Sequence, residues 1–518
     1  MKRRSFLKLG ALASAPIFVN GFKVHSYLST GLLSALNNDT DRILVLIQLN
    51  GGNDGLSTLL PLDQYAALST LRSPVLIPES AGIKLNNETA LHPAMTDLNM
   101  AWQDGKVQLI QGVGYPNQNR SHFRSQDIWI TASDANQFLT TGWLGRYLDC
   151  EFPGYPNGFP NPDNPDPIAL TIGNTVSETC QGVNGNYSLS VIDPNTISVL
   201  DDPNLEPVPA NCYGMELSFL REAVKQTNQY NDTIKQAAAM GTNLGTKYNA
   251  DNALAQKLKT VARLISGGLK TRVYVVNQGG FDTHAGQVNA NDKTTGAHAN
   301  LLRNLSNAIC AFQDDLSKLG VEERVIGMTF SEFGRRIKTT GTGTDHGSAA
   351  PMILFGSCIN PILLGTNPVI SPNTTDQEGV AMQYDFRSVY GSVLNQWFKV
   401  DKAKVQTLIY PDYQDLPIIL GCSTSKAYEP LAADRFELRL LGNPVQHQLN
   451  FAIAENKANA YTVELYNETG FALQRIKLEN GAGGQVQGQI NLEQFSSGAY
   501  FLRVSDRHYQ KVERVVKI

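Results

Sequence analysis

Three things are scarce in this chain, and each scarcity excludes something. There is no surplus of cationic charge: Lys and Arg number 43 against 47 Asp and Glu, a net charge of −4. That balance gives no electrostatic footprint for nucleic acid and no basic patch for an anionic membrane surface. Long apolar runs are missing beyond the N-terminus, so no transmembrane span is expected there. Clustered cysteines are missing too. Cys150, Cys180, Cys212, Cys310, Cys358 and Cys422 contain no Cys-x-x-Cys spacing, which argues against a cysteine-built metal cluster.

What is present is an ordinary globular composition, 42% hydrophobic and 17% charged over 518 residues. That length suffices for two or three domains and at least one large core. The first residues read as an export signal. Lys2-Arg3-Arg4-Ser5-Phe6-Leu7-Lys8 is basic and holds a twin arginine, and Leu9 to Val19 is a short, moderately apolar stretch. A twin-arginine signal and a general secretory signal both fit, and residues 1–25 are set aside from the fold. Export permits disulfides. Cys180 with Cys212 is the first expectation, because both fall in one irregular region, and Cys310 is expected as a buried free thiol on a helix.

Apolar runs then alternate with helical patterns. Ile43–Leu49, Val107–Val113, Arg272–Gln278, Val325–Phe330 and Met352–Phe355 read as strands; the first is apolar enough to be covered on both faces. Leu91–Asp104, most of Glu216–Ile265, Ala297–Leu319 and Phe386–Phe398 read as helices. In Ala297–Leu319 the residues Leu301, Leu305, Ile309, Phe312 and Leu316 stand at helical spacing. Residues 151–212, rich in Pro, Asn, Gly and Asp, read as a long surface excursion. The alternation predicts an α/β domain, a doubly wound, mostly parallel sheet with helices on both faces, over residues 41–422. Beyond about Arg439 the pattern changes to short alternating runs such as Tyr461–Tyr466 and Ala499–Val504. That predicts a small antiparallel β-sandwich over residues 443–518.

The chemistry-bearing residues fall in loops at strand ends, where α/β proteins bind ligands. Thr344-Asp345-His346-Gly347 follows one apolar run and precedes another. Asp and His are oxygen and imidazole ligands for a divalent ion. Adjacent residues on a strand face opposite ways, so Asp345 and His346 share an ion only if the backbone turns, which Gly343 and Gly347 are expected to permit. Asp282 and His284, two apart after Gly279-Gly280, face the same way on an extended segment. The first strand ends in Asn50-Gly51-Gly52-Asn53-Asp54-Gly55. The segment Arg120-Ser121-His122-Phe123-Arg124 puts two arginines, a hydroxyl and an imidazole at a helix start, a set suited to an anionic group. His298 stands in the first turn of its helix, and Glu332 at a strand end is a candidate partner for a ligand. Taken singly, each of these is equally a solvated loop or a capped helix.

Together the motifs resemble a known superfamily. Thr344-Asp345-His346-Gly347 resembles the Asp-His-Gly of the phosphodiesterase and phosphomutase branches of the alkaline-phosphatase superfamily, and Leu49-Asn50-Gly51 resembles the Leu-Asp-Gly that ends their first strand. Asn50–Gly55, Arg120–Phe123, Gly280–His284 and Ser331–Arg335 resemble the hallmark stretches of an uncharacterised bacterial family of exported, sulfatase-like proteins. The resemblance implies an alkaline-phosphatase-like fold and one or two divalent ions, Zn, Mn, Mg or Ca. It implies Asp282, His284, Asp345 and His346 as ligands, helped by Asp54 and Asn50. Ser121 would be the catalytic nucleophile with His122 beside it, and Arg120 and Arg124 would bind an anionic ester of phosphate or sulfate. Asn50 replaces the usual acid, the usual Asp-x-x-x-His is shortened to Asp-x-His, and no Cys-x-Pro-x-Arg sulfatase motif is present. A non-catalytic surface protein that kept the fold is the alternative. The last residues, with Asn443-Pro444-Val445, Leu465–Gly470, Ser497–Leu502 and Val515-Val516-Lys517, are similar to the sorting module of type IX secretion. That implies the type IX machinery as a partner, and a cell-surface or extracellular destination by way of the periplasm.

Overall fold

The computed structural model describes residues 42–518 apart from 162, 197–206, 340, 423–435, 455–459, 468–471, 480–484 and 506–509, together with Ile17–Val19 and Phe22–Val24. Those two short strands pair antiparallel within an N-terminal unit, Met1–Arg42. The twin arginine and most of the expected export signal lie outside the described residues.

The second unit is built on a nine-stranded sheet. In spatial order its strands are Leu363–Leu364, Val107–Gly114, Ala350–Phe355, Val325–Phe330, Ile43–Leu49, Val273–Gln278, Ala169–Ile172 and Ser188–Val191; Tyr384–Asp385 also pairs with Val107–Gly114. All run the same way except Ala350–Phe355, which is antiparallel to both neighbours. Alternate residues of Ile43–Leu49 enter opposite cores, as period-two geometry demands. Ile43, Val45 and Ile47 pack with Leu98, Leu258, Leu305 and Phe312 from helices on one face. Leu44 and Leu46 pack with Trp129, Trp143 and Tyr390 from helices on the other. The mostly parallel, doubly wound α/β architecture expected from the sequence is the one observed. No helix among the described residues is long and apolar enough to cross a membrane.

Three expectations need correction. Residues 151–212 are not wholly a surface excursion, because Ala169–Ile172 and Ser188–Val191 join the sheet edge. Strands of four residues are too short to stand out from the Pro- and Gly-rich chain around them. The helix expected over Leu91–Asp104 is confined to Thr96–Gln103, and Thr89–Leu91 is a strand instead. Pro93 lies between them and disfavours helix in the residue before it. The disulfide joins Cys358 to Cys422, not Cys180 to Cys212; Cys180 is a buried free thiol. Sharing an irregular region did not bring the expected pair together. Cys310 is free, as expected, but only partly buried.

The C-terminal segment forms a three-stranded and a four-stranded antiparallel sheet with a core of their own, including Leu449, Phe451, Val463, Leu465, Leu502 and Val504. It starts before residue 443. Phe436 and Leu438 belong to that core, and Glu437–Leu440 pairs with Gln448–Ala454.

Candidate metal centre

The strands Val325–Phe330, Ile43–Leu49 and Val273–Gln278 are parallel neighbours, so their carboxyl ends lie side by side. From these ends come Glu332, the turn Asn50–Asp54, and Asp282 with His284. Ala350–Phe355 runs the other way, which brings the loop before it, with Asp345 and His346, to the same edge. Val107–Gly114 ends there too and leads into the helix His122–Thr131.

Close backbone approach makes this convergence possible. Gly51 has φ +121°, and a Cβ on it would stand 2.3 Å from the Asp282 amide nitrogen. Gly343 and Gly347 were expected to permit the turn that lets Asp345 and His346 share a site. Neither has positive φ; they supply room. A Cβ on Gly343 would meet the His284 carbonyl at 2.3 Å, and one on Gly347 the Arg335 carbonyl carbon at 2.2 Å.

Three imidazoles and two carboxylates meet at this edge. Asp282 Oδ1 lies 3.0 Å from His284 Nε2 and 3.3 Å from His346 Nε2. The two Nε2 atoms are 2.9 Å apart. His284 Nδ1 is 3.6 Å from Asp345 Oδ1, and His122 Nε2 is 3.4 Å from Asp282 Oδ2. On the Asp282–His284 segment the alternation is as expected, with Thr283 buried and its two neighbours exposed.

The far side of two rings is anchored. His346 Nδ1 lies 2.8 Å from the Arg120 carbonyl oxygen, and His122 Nδ1 lies 2.8 Å from Glu332 Oε1. A carbonyl and a carboxylate only accept, so Nδ1 carries the proton in each ring and a neutral ring turns the Nε2 lone pair toward Asp282. Burial, with the nearby Arg335 charge, holds the His346 pKa below its ordinary value despite the Arg120 bond. Glu332 is fixed in turn by the Gly51 amide, 2.8 Å from the same Oε1. Phe333 packs against both rings, with centroids 4.9 Å from His122 and 4.7 Å from His346.

Two arginines that sequence reasoning left without a role complete the edge. The buried Arg335 donates to the carbonyls of Gly51, Gly52, Phe281 and Thr344 and to Asp282 Oδ1, the last at 2.8 Å. Arg336 pairs with Asp345 Oδ2 at 2.9 Å. Burial pulls both Asp pKa values upward, but Arg335 holds Asp282, and the His346 amide with Arg336 holds Asp345, below the usual carboxylate range. Two adjacent arginines, three and four residues after Glu332 at a strand end, were the available signal. Arg120 is close to Asp345 and Arg336; burial and the Arg336 charge lower its pKa.

Not every expected residue joins. Asp54 does not face the cluster as a free ligand: it is buried, ion-paired with Arg72, and bonded by Ser57 at 2.7 Å and Gln287 at 2.5 Å. Burial alone would raise its pKa; Arg72 and these donors lower it. Its carboxylate ties loops together. Arg124 is likewise committed, to Asp127 and to the carbonyls of Asp134, Ala135 and Gln137, so it is not a free anion binder. Asn50 lines a neighbouring cavity. Ser121 is exposed at the helix start and makes no cap bond with its side chain. His298 is fully buried, with Nε2 3.0 Å from Asn53 Oδ1, beneath the first loop.

The donor set fits a divalent ion. Tetrahedral zinc with bonds near 2.05 Å requires ligand atoms roughly 3.3 Å apart, and the Asp282, His284 and His346 atoms stand 2.9–3.3 Å apart. His122 Nε2 is buried and has no hydrogen-bond partner, an atom a cation would satisfy. Asp345 adds a hard oxygen suited to Mn, Mg or Ca.

Against known proteins, residues 42–406 match the family model described as "Protein of unknown function (DUF1501)". The chain belongs to this family. Residues 442–518 match a secretion system C-terminal sorting domain. No curated protein matches. Among solved structures, a protein of the alkaline phosphatase superfamily from Vibrio parahaemolyticus is 11% identical, over 92% of this chain and 82% of that one, with a TM-score of 0.35. PsFucS1 sulfatase from Pseudoalteromonas sp. is 11% identical over 89% and 85%, with a TM-score of 0.32. Latent PorU from Porphyromonas gingivalis is 20% identical over 17% of this chain, which spans only 10% of PorU, with a TM-score of 0.15.

Proposed function

We propose that this DUF1501 protein is a secreted, metal-dependent hydrolase of phosphate or sulfate esters. The observation that carries the reading is the pair of anchored imidazoles, His122 and His346, whose Nε2 atoms face Asp282 beside His284 and Asp345. Asp282, His284, Asp345, His346 and His122 would hold one or two divalent ions. Such an ion, when bound, supplies Lewis-acid stabilisation of the charge that develops on an ester under attack. Arg120 binds the ester anion, Ser121 Oγ is the nucleophile, and Glu332 and the Arg120 carbonyl keep the rings oriented. The sorting domain takes the chain through the type IX machinery to the cell surface or medium.

One observation favours a second reading. The first strand brings no carboxylate to the cluster, since Asn50 stands where an acid is usual and Asp54 is buried with its Oδ2 paired to Arg72. A non-catalytic surface binding protein would have this construction.

The test is elemental analysis of purified protein, with a screen of phosphate mono- and diesters and sulfate esters under added Zn²⁺, Mn²⁺, Mg²⁺ or Ca²⁺. The hydrolase reading expects bound metal that His346→Ala lowers, and turnover that Ser121→Ala abolishes with metal retained. Metal-free protein without turnover sinks it in favour of the second reading. Turnover kept in Ser121→Ala removes that residue from its role.

A further inference from the structure

A cavity of about 470 Å³, within the usual range of small-ligand sites, opens among the end of Ile43–Leu49, the helix His122–Thr131 and the loop after Ala169–Ile172. Nothing in the ester chemistry above uses it. It adjoins the cluster through two elements. Asn50 lines the cavity, and Gly51, the next residue, donates its amide to Glu332. Phe123 lines it, and His122, the residue before, stands in the cluster. Cavity and cluster are thus flanked by consecutive residues of two elements.

We propose that this cavity binds a neutral, hydroxyl-rich sugar ring, the organic part of the ester. The link to an ester rests on the hydrolase reading; the binding itself does not. Phe123 is 89% exposed, and its ring offers a flat apolar face to the C–H side of a pyranose. The amides of Gln48, Asn50 and Gln126 and the carboxylates of Asp127 and Glu178 also line the space. Amides donate and accept, and carboxylates accept, which matches a ring of hydroxyls. Asn50 Oδ1 has no hydrogen-bond partner in the protein. No lysine or arginine lines the cavity, while two acids do, so a second anionic group on the ring is disfavoured.

The experiment is saturation-transfer NMR on the full-length chain in EDTA, with methyl glucoside, methyl galactoside, methyl mannoside and maltose as probes. At least one should bind at millimolar concentration. Phe123→Ala should weaken it roughly fivefold, the size of an aromatic contact, with melting unchanged because the ring is exposed. Phe138→Ala, which removes an exposed ring outside the cavity, should leave binding as in the wild type. No signal from any probe, or equal binding in Phe123→Ala, overturns the proposal. Sugar binding without ester hydrolysis upholds it and sinks the hydrolase reading. Ester hydrolysis without sugar binding does the reverse.

Discussion

Acidification should destabilise this protein through two histidines that it buries in the neutral form. His298 is fully buried, and burial pushes its pKa down to about 4. His92 is buried beside it, ring centroids 6.2 Å apart, and burial pushes it to about 3. His92 Nδ1 accepts the Ala94 amide at 3.0 Å, a bond that a proton on that atom would abolish. Both folded values lie below the ordinary 6.5, so as the pH falls the unfolded chain takes up these protons first. The stability is therefore fully present above pH 6.5 and declines as the pH drops toward the folded values. Each histidine removes about 1.4 kcal/mol per pH unit in that window. Between pH 6.5 and 4.5 the pair removes about 5 kcal/mol, a large share of a typical total of about 5–15. The depressed carboxylates Asp54, Asp282 and Asp345 add their losses only below the ordinary carboxylate value of 3.8, outside this window. The assay is urea unfolding at half-unit steps from pH 7.5 to 4.5, in EDTA so that metal release does not contribute. His346, partly exposed and also depressed, tilts the curve the same way. The difference between wild type and His92→Gln is therefore the diagnostic quantity. Glutamine can still accept the Ala94 amide, so the variant should lose about 1.4 kcal/mol per pH unit of slope and little stability at pH 7.5. Equal slopes in the two proteins, or a flat wild-type curve, would refute the reasoning.

Other perturbations have equally definite outcomes. Arg335→Met strands four carbonyls and leaves Asp282 Oδ1 without its buried cation; unfolding free energy should fall by about 2–4 kcal/mol, and a urea midpoint equal to wild type would contradict this. Reducing Cys358–Cys422, or making Cys422→Ser, should cost about 2–4 kcal/mol, while Cys180→Ser leaves the non-reducing mass and mobility of the disulfide form unchanged. A chain ending at Cys422 loses a sandwich that has its own core, so its main sheet should melt as before by circular dichroism; cells expressing it should retain it in the periplasm, and delivery to the surface or medium would show that the sorting domain is dispensable.

Much of this architecture was legible because it rests on local chemistry. Ile43–Leu49 and Val325–Phe330 are apolar on both faces, and both are found with those boundaries. Asp282-x-His284 was readable because period-two geometry needs no knowledge of the rest of the chain. The ion pair of Asp54 was not legible because Arg72 and Gln287, which set its environment, are remote in sequence and have nothing local to mark them. Arg124 looked like an anion binder until the turn at Asp134–Gln137 closed around it. Gly343 and Gly347 also matter in a way that local spacing does not reveal: neither has positive φ, and the neighbours that need their missing side chains come from remote stretches of chain. The disulfide depended wholly on such remote proximity.

The reversed strand also makes the site replaceable. Residues 331–349 leave Val325–Phe330 and return through Ala350–Phe355, its direct neighbour, with Gly327 opposite Phe355 and Met328 opposite Leu354. Entry and exit of this segment are thus carried by two neighbouring strands, which keeps them on one side of the sheet. A segment held that way behaves as a cartridge. It can be lengthened or exchanged for modest closure entropy, because its ends stay together whatever lies between them. Asp345, His346 and both arginines ride on that cartridge, while His122, Asp282 and His284 stay on the frame. A grafted 331–349 sequence that keeps Glu332 and Arg335, which tie the segment to Gly51, Gly52 and Phe281, would therefore alter the donor set and leave the sheet beneath it intact.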